Sequence, residues 1–208
     1  MAEVRPRGRP RGFDEGDALD AAVRLFWAAG YEGASVDRLC RGMRMPRATL
    51  YDRFGGKEGL FLAAVAHYAE TRIAPVLAAL GPAGSLREDL SAFYGAVLSL
   101  ATDDPDAPGC LVSCALADAA GTDPGFRAEL ASRYDAMERR IAARLREAGW
   151  SARAETPPGA AAGLVASVAR GLMLAARSGA GSGELRPTAE AAVRAILALD
   201  RGDAPGRG

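Results

Sequence analysis

A short stretch of the chain concentrates side chains suited to nucleic acid: Arg44, Arg47, Ala48, Thr49, Tyr51 and Lys57. Guanidinium groups pair bidentately with phosphate or with a guanine edge, and Arg44 and Arg47 are alternatives for either partner. Thr49 offers a hydroxyl and a methyl to a base edge or a phosphate, and Ala48 beside it is a small contact. The Tyr51 phenol can bond a phosphate while its ring packs on its own domain. Lys57 is the sole lysine among 26 basic residues. A helix starting there would add free N–H groups and the positive end of a dipole to its charge. The plainer alternatives are a core tyrosine at Tyr51 and solvated helix positions at Thr49 and Lys57.

Charge distribution supports the polar reading. Formal net charge is zero, yet Arg38 to Lys57 carries five arginines and one lysine against Asp52 alone. The segment before it holds Arg5, Arg7, Arg9 and Arg11 against Glu3. Basic charge gathered in the first quarter of a neutral chain is what a phosphate-binding surface requires. The arm, Arg9 and Arg11 included, reads as disordered alone and able to order in a minor groove or along phosphates; a solubilising tail is the alternative.

These residues need elements to hold them. From Asp14 to Ala29, Ala18, Leu19, Ala22, Leu25, Phe26 and Ala29 recur at three- and four-residue spacing, which predicts an amphipathic helix stopped by Gly30. Ser35 caps a second helix with Val36, Leu39 and Cys40 inward and Asp37 in its first turn. Gly42 ends it, and Pro46 opens a third, running to about Phe54 with Leu50 and Phe54 in a small core. After Gly55-Gly56, Lys57 starts a long fourth helix reaching about Leu80. Helix, short glycine-containing turn, helix is the helix-turn-helix pattern, in which the second helix offers its N-terminal residues to base edges.

The rest reads as helical too. Segments are expected at Ser85–Leu100, Cys110–Ala120, Pro124–Ala148, Pro158–Ser178 and Pro187–Leu199, separated by Gly, Pro and Asp clusters. The expected division is a basic disordered arm over 1–12, a helix-turn-helix domain over 13–56, a second helical domain over 57–200 and a disordered tail over 201–208. The fold class is therefore all-α, with about nine helices. The stretch after Pro158 is too rich in alanine and glycine, and too interrupted by Arg170, to be expected to span a membrane. Three cysteines without an export signal suggest reduced cytoplasmic thiols.

Other chemistries find little support. There is one histidine, His67, no Gly-rich phosphate loop between strand and helix, and no CxxC or HxxxH spacing, so no metal, no cofactor and no enzyme activity is expected. A helical scaffold that binds protein is the remaining alternative class; it would show no salt-sensitive affinity for duplex DNA.

From Arg9 to about Tyr68 the sequence resembles the TetR/AcrR family of transcriptional regulators. The residues carrying the likeness are Ala21-Ala22-x-x-Leu25-Phe26, Gly30-Tyr31, Ser35-Val36, Thr49-Leu50-Tyr51-x-x-Phe54 and Lys57-Glu58-x-Leu60. The resemblance implies an N-terminal three-helix DNA-binding domain and a C-terminal domain that binds an effector and dimerises. It also implies repression of a pseudo-palindromic double-stranded operator, relieved when a small molecule moves the reading heads. The DNA contacts then fall on Arg9, Arg11, Ser35, Arg44, Arg47, Ala48, Thr49, Tyr51 and Lys57.

In the C-terminal region, one recognition helix reads only a few base pairs, so a two-fold dimer is needed for a useful site. The resemblance implies a homodimer through the last two long helices. The candidate faces are Leu164, Val165, Val168, Leu172 and Ala175, then Ala192, Val193, Ile196, Leu197 and Leu199; an internal core face is the alternative. Candidate pocket residues are Tyr68, Phe93, Tyr94, Val97, Leu98, Leu111, Cys114, Tyr134, Met137 and Met173, an apolar set with a few phenols. Cys110 and Cys114 lie one helical turn apart, so their thiols are expected to share a face. A helix start at Cys110 would lower its thiol pKa and make it a redox or electrophile sensor. Gly109-Cys110-Leu111 also resembles a subgroup of the family with members that sense electrophiles. A buried structural cysteine is the alternative.

Overall fold

The computed structural model describes residues 14–152 and 155–200. The expected arm with Arg9 and Arg11, and the expected tail over 201–208, lie outside the described residues. What is described is helical, and no strand occurs among those residues.

Helix α1 (Glu15–Gly33) begins where Asp14 accepts from Asp17 N–H at 3.2 Å, with Glu15 and Asp17 placed favourably in the first turn. Ala18, Ala22 and Phe26 are its buried face. Gly30, at φ 67° and ψ 178°, breaks the helical path, and one more turn follows to Gly33. The stop expected at Gly30 is thus a kink within the element, at a backbone angle that glycine adopts without strain. Helix α2 (Val36–Met43) is capped by Ser35, which accepts from Arg38 N–H at 3.3 Å, and buries Leu39 and Met43. Helix α3 (Arg47–Phe54) buries Leu50 and ends on left-handed Gly55. Pro46 stands just before the helix as its cap residue.

Helix α4 (Lys57–Tyr68) continues through a wide π segment (Ala69–Ile73) into α5 (Ala74–Ala78). Pro75 lacks an N–H, and its ring would crowd the carbonyl four residues back in a regular helix, so the wider turn before it has a covalent cause. Helix α6 (Leu86–Thr102) opens with a Ser85/Glu88 capping box. A second π segment (Val112–Leu116) leads into the short α7 (Ala117–Ala119). Helix α8 (Pro124–Glu147) starts on Asp123, whose carboxylate accepts from Phe126 N–H at 2.9 Å. Helices α9 (Pro158–Arg177) and α10 (Ser182–Leu199) complete the described chain. The start expected at Pro187 is five residues late, because the helix begins after Gly181 and tolerates Pro187 near its N-terminus.

Helix α9 is the centre of the second half, packed by α6, α8 and α10. It is long and apolar enough to cross a bilayer by composition. Here Ala161, Ala162, Val165, Ala166, Ala169, Leu172 and Met173 are buried against those neighbours instead. Small side chains let the helices approach closely, which is how an alanine-rich sequence builds a dense core.

One hydrophobic core runs across the boundary expected at 56/57. Phe26 of α1 meets Phe61 of α4 at 4.8 Å between ring centroids, and Phe61 meets Phe126 of α8 at 5.2 Å. Tyr31 joins both, at 5.1 Å from Phe61 and 4.7 Å from Phe126. Edge-on aromatic contacts of this kind add stabilisation beyond the area they bury.

A buried ion pair closes the far end. Arg144 Nε donates to Asp89 Oδ2 at 2.7 Å, and both residues are buried. Ala83 and Gly84 N–H groups donate to the other carboxylate oxygen, and Arg140 donates to the Gly81 carbonyl, so the loop before α6 is tied to α8. Burial alone would raise the Asp89 pKa. The Arg144 hydrogen bond, the guanidinium charge and the two N–H groups outweigh it and hold the carboxyl below its ordinary range. Breaking the pair strands a buried charge, so Arg144→Ala should cost about 3–5 kcal/mol, read from the urea midpoint. With a folded-state pKa below the unfolded one, Asp89 contributes stability above about pH 4 that is lost as pH falls through the lowered value. Asp89→Asn should flatten that acid limb; an unchanged limb would place the acid sensitivity elsewhere.

Candidate nucleic-acid interface and internal cavity

Among the described residues, Ser35, Arg44, Arg47, Ala48 and Tyr51 are exposed, and Thr49 and Lys57 are half-buried. Arg47 and Ala48 open α3 and are exposed, with Thr49 half-buried behind them. Tyr51 is 45% exposed, against a fully buried Leu50; it is not a core tyrosine. Leu50 is the side chain that fastens α3 to the domain, and Phe54 packs partly buried beside it. Both ends of α3 are held by carboxylates. Arg47 Nη1 lies 3.3 Å from Asp37 Oδ1 on α2, and Arg53 Nη1 lies 2.9 Å from Glu15 Oε2 on α1. The Arg47 guanidinium also sits 5.8 Å from the Tyr51 ring centroid.

Arg44 occupies the turn between α2 and α3 at φ 53°, a left-handed conformation unusual for a residue with a long side chain. It is exposed, and no carboxylate pairs with it among the described residues. The Ser35 hydroxyl is engaged as the α2 cap, so any phosphate contact there would share that oxygen. Lys57, at the first position of α4, donates to the Glu32 carbonyl at 3.3 Å, with its ammonium 4.3 Å from the Tyr31 ring centroid. One of its three donors is therefore spoken for, and its partners belong to the segment after the Gly30 kink.

Two further contacts tie this surface to the body. His67 Nε2 lies 2.9 Å from Asp20 Oδ1, linking α4 to α1. Arg177 Nη2, at the end of α9, donates to the Trp27 carbonyl of α1 at 3.3 Å.

Behind them lies an apolar cavity of about 210 Å³. Its walls come from both π segments, α5, α6, α8 and α9. Four expected residues line it: Val97, Tyr134, Met137 and Met173, together with Cys110. Leu100, Val112, Ser113, Leu77, Ile73 and Arg133 also line it and carried no sequence signal of their own. Six expected pocket residues lie elsewhere. Phe93 is buried in the core, while Tyr94, whose Oη donates to the Val165 carbonyl at 3.1 Å, and Leu98 border a different cavity of about 230 Å³ between α6 and α10. Tyr68 borders a separate cleft with Asp20 and Arg72, and Leu111 and Cys114 border another with Trp27, Gly30 and Arg177. Cys110 and Cys114 border different spaces even though the Cys114 N–H donates to the Cys110 carbonyl at 2.9 Å; Cys110 stands before the π segment of Val112–Leu116, outside any helix.

The Cys110 thiol also differs from expectation. Burial pushes its pKa up, outweighing the Ser113 and Val112 N–H groups and the Tyr68 and Ser113 hydroxyls around the sulfur. The thiol at rest is therefore neutral, not the thiolate expected of a helix start. Tyr134 sits against Arg170, 4.6 Å from guanidinium to ring centroid, and Arg170 is held by Glu138 at 3.2 Å.

The exposed sides of the last two helices also differ from those expected. Val165, Leu172, Val193 and Ile196 are buried within the chain. The outward rows keep Leu164 of the expected face and add Ala160, Ser167, Gly171 and Leu174 on α9, with Thr188, Ala191, Ala195 and Ala198 on α10. Leu164 and Leu174 are 42% and 57% exposed.

Comparison with known proteins agrees with this geometry. The model of the family of bacterial regulatory proteins, tetR family, matches residues 18–64, spanning most of α1 through α4. The chain is 30% identical over 195 residues to the HTH-type transcriptional repressor ComR of Escherichia coli (strain K12), covering 91% of this chain and 92% of ComR. It is 30% identical over 134 residues to the HTH-type transcriptional regulator YezE of Bacillus subtilis (strain 168), covering 64% of this chain and 67% of YezE. A cysteine mutant of the TetR family regulator CifR, solved with 26-base-pair double-strand operator DNA, superposes with a TM-score of 0.79. Identity to CifR is 33%, over 90% of this chain and 99% of that one. A TetR-family regulator from Streptomyces coelicolor superposes with a TM-score of 0.71 at 25% identity, over 88% of this chain and 93% of that one. A recognition helix pinned at both ends, an all-helical body and relatives matched along nearly their whole length have one reading: the chain belongs to the TetR family of DNA-binding transcriptional regulators.

Proposed function

We propose that this protein is a cytoplasmic homodimeric repressor of a pseudo-palindromic operator, released when a small molecule fills the 210 Å³ cavity. The observation that carries the reading is the cavity's position. Its walls include the π segment that continues α4, the helix welded to α1 by the aromatic cluster. Occupancy at that wall bears directly on the element that carries the DNA-reading head. Support for operator binding comes from CifR, solved in complex with operator DNA, and from ComR, a transcriptional repressor.

The effector this cavity suits is small and mostly apolar. Drug-sized sites run to roughly 300–1,000 Å³, so this one is compact. The Ser113 hydroxyl and Tyr134 phenol are its polar fixed points, with Glu70 and Arg133 among the lining residues. Arg44, Arg47, Ala48, Thr49, Tyr51 and Lys57 form the DNA-facing surface, with Ser35 at its margin. The outward rows of α9 and α10 suit a two-fold four-helix contact, since their apolar and small side chains recur at three and four.

A second reading rests on Cys110. Its sulfur lines the same cavity, so an electrophile small enough to enter could be captured covalently there rather than held reversibly. The neutral resting thiol makes this slower than capture by a pre-formed thiolate.

Three outcomes are expected. In gel shifts at two or more salt concentrations, Arg44→Ala and Lys57→Ala should each lower the slope of log affinity against log salt by about 1; unchanged slopes would remove them from the phosphate contacts. Val97→Phe should blunt operator release by small apolar compounds while leaving operator affinity intact, whereas Cys110→Ser should blunt release by thiol reagents alone. A full response in Val97→Phe contradicts the cavity reading. Leu174→Arg should convert a dimer of 21.5 kDa chains to monomer in sedimentation velocity; a persistent dimer places the interface elsewhere.

A further inference from the structure

The recognition helix begins with a guanidinium already set in place. Arg47 is the first residue of α3, and its Nη1 donates to Asp37 Oδ1 on α2 at 3.3 Å. Its guanidinium also lies against the Tyr51 ring, one helical turn on, at 5.8 Å from the centroid. Asp37 and Arg47 side chains are 76% and 61% exposed, so the pair adds little to folding stability in water. Its consequence is conformational. A long side chain held from one side by a carboxylate and from the other by a ring has fewer rotamers to lose when it meets a partner.

The tether also selects which donors remain. With Nη1 on Asp37 and the Tyr51 hydroxyl as a second polar neighbour, the remaining N–H groups of the five-donor fork are left for a partner. Two parallel donors match O6 and N7 of guanine in the major groove. Arg44 is the contrasting case. It sits in the turn before α3, in left-handed backbone, with no carboxylate to orient it among the described residues. An unoriented cation flanking the helix suits a phosphate, which needs charge more than angle.

We propose that Arg47 reads a guanine once in each operator half-site, and that Asp37 is the positioning residue presetting it against Tyr51. The inference rests on α3 being the helix that enters the major groove. It divides Arg44 and Arg47, chemically identical in sequence, into a phosphate contact and a base contact.

The test is selection of bound duplexes from a random-sequence pool by the full chain, followed by affinity measurement on the selected site and its single-base variants. The wild-type protein should enrich guanine at one symmetric pair of positions. Arg47→Ala and Arg47→Lys should both reduce that preference by about 5- to 150-fold, while Arg47→Lys keeps the salt slope. Asp37→Asn should lower the same preference several-fold without weakening binding to the other duplexes, a pattern that a merely structural role would not give. A uniform loss across all sequences in Arg47→Ala, with the salt slope down by about 1, would make Arg47 a phosphate contact and overturn the proposal. An unchanged guanine preference in Asp37→Asn would overturn the positioning role. Absence of any enriched sequence for the wild-type chain would count against the operator-binding reading itself, before Arg47 is in question.

Discussion

The packing of Phe26, Tyr31, Phe61 and Phe126 is the constraint on which the rest of the molecule depends. These rings come from α1, the turn after its kink, α4 and α8, so three parts of the chain share one small cluster. A DNA-reading head on a flexible linker would be indifferent to events in the body. This head shares a core with the body instead, and His67 to Asp20 and Arg177 to Trp27 add polar ties across the same junction. Close-packed interiors pass displacement from one element to the next and do not absorb it.

Both π segments border the internal cavity, one continuing α4 and the other packing against α1. Single π turns inside α-helices are rare and occur frequently at functional sites. Polar ties lie away from the cavity: the buried Asp89–Arg144 pair ties the far loop to α8, and exposed carboxylates on α2 and α1 meet Arg47 and Arg53 at the two ends of α3. A head that shares a core with the helix lining the cavity is an arrangement through which a change at the cavity reaches α3.

Much of this was legible in the sequence, and the reason differs by element. Caps at Asp14, Ser35, Ser85 and Asp123 and breaks at Gly30 and Gly55 depend on local chemistry, so the helices were readable from neighbouring residues. The basic face of α3 was readable because charge stays outside wherever it falls. The pocket was not. Phe93, Tyr94 and Val97 carry the same helical signal, and only packing decides that Val97 faces the cavity while Phe93 fills the core and Tyr94 borders another space. The π turns were equally hidden, since one added residue per turn leaves no periodic trace over five residues. The outward rows of α9 and α10 escaped for a related reason. Larger apolar residues draw attention, but Val165, Leu172, Val193 and Ile196 went inward, and Leu164 and Leu174 were left at the surface among small residues.

The central claim is that two copies of this chain place two α3 helices in successive major grooves of one duplex. Hydroxyl-radical footprinting of the full-length protein on its selected duplex measures this most directly. The account predicts two protected patches related by a two-fold axis, centred about 10 base pairs or a multiple of that apart. A single protected patch without two-fold symmetry would contradict it.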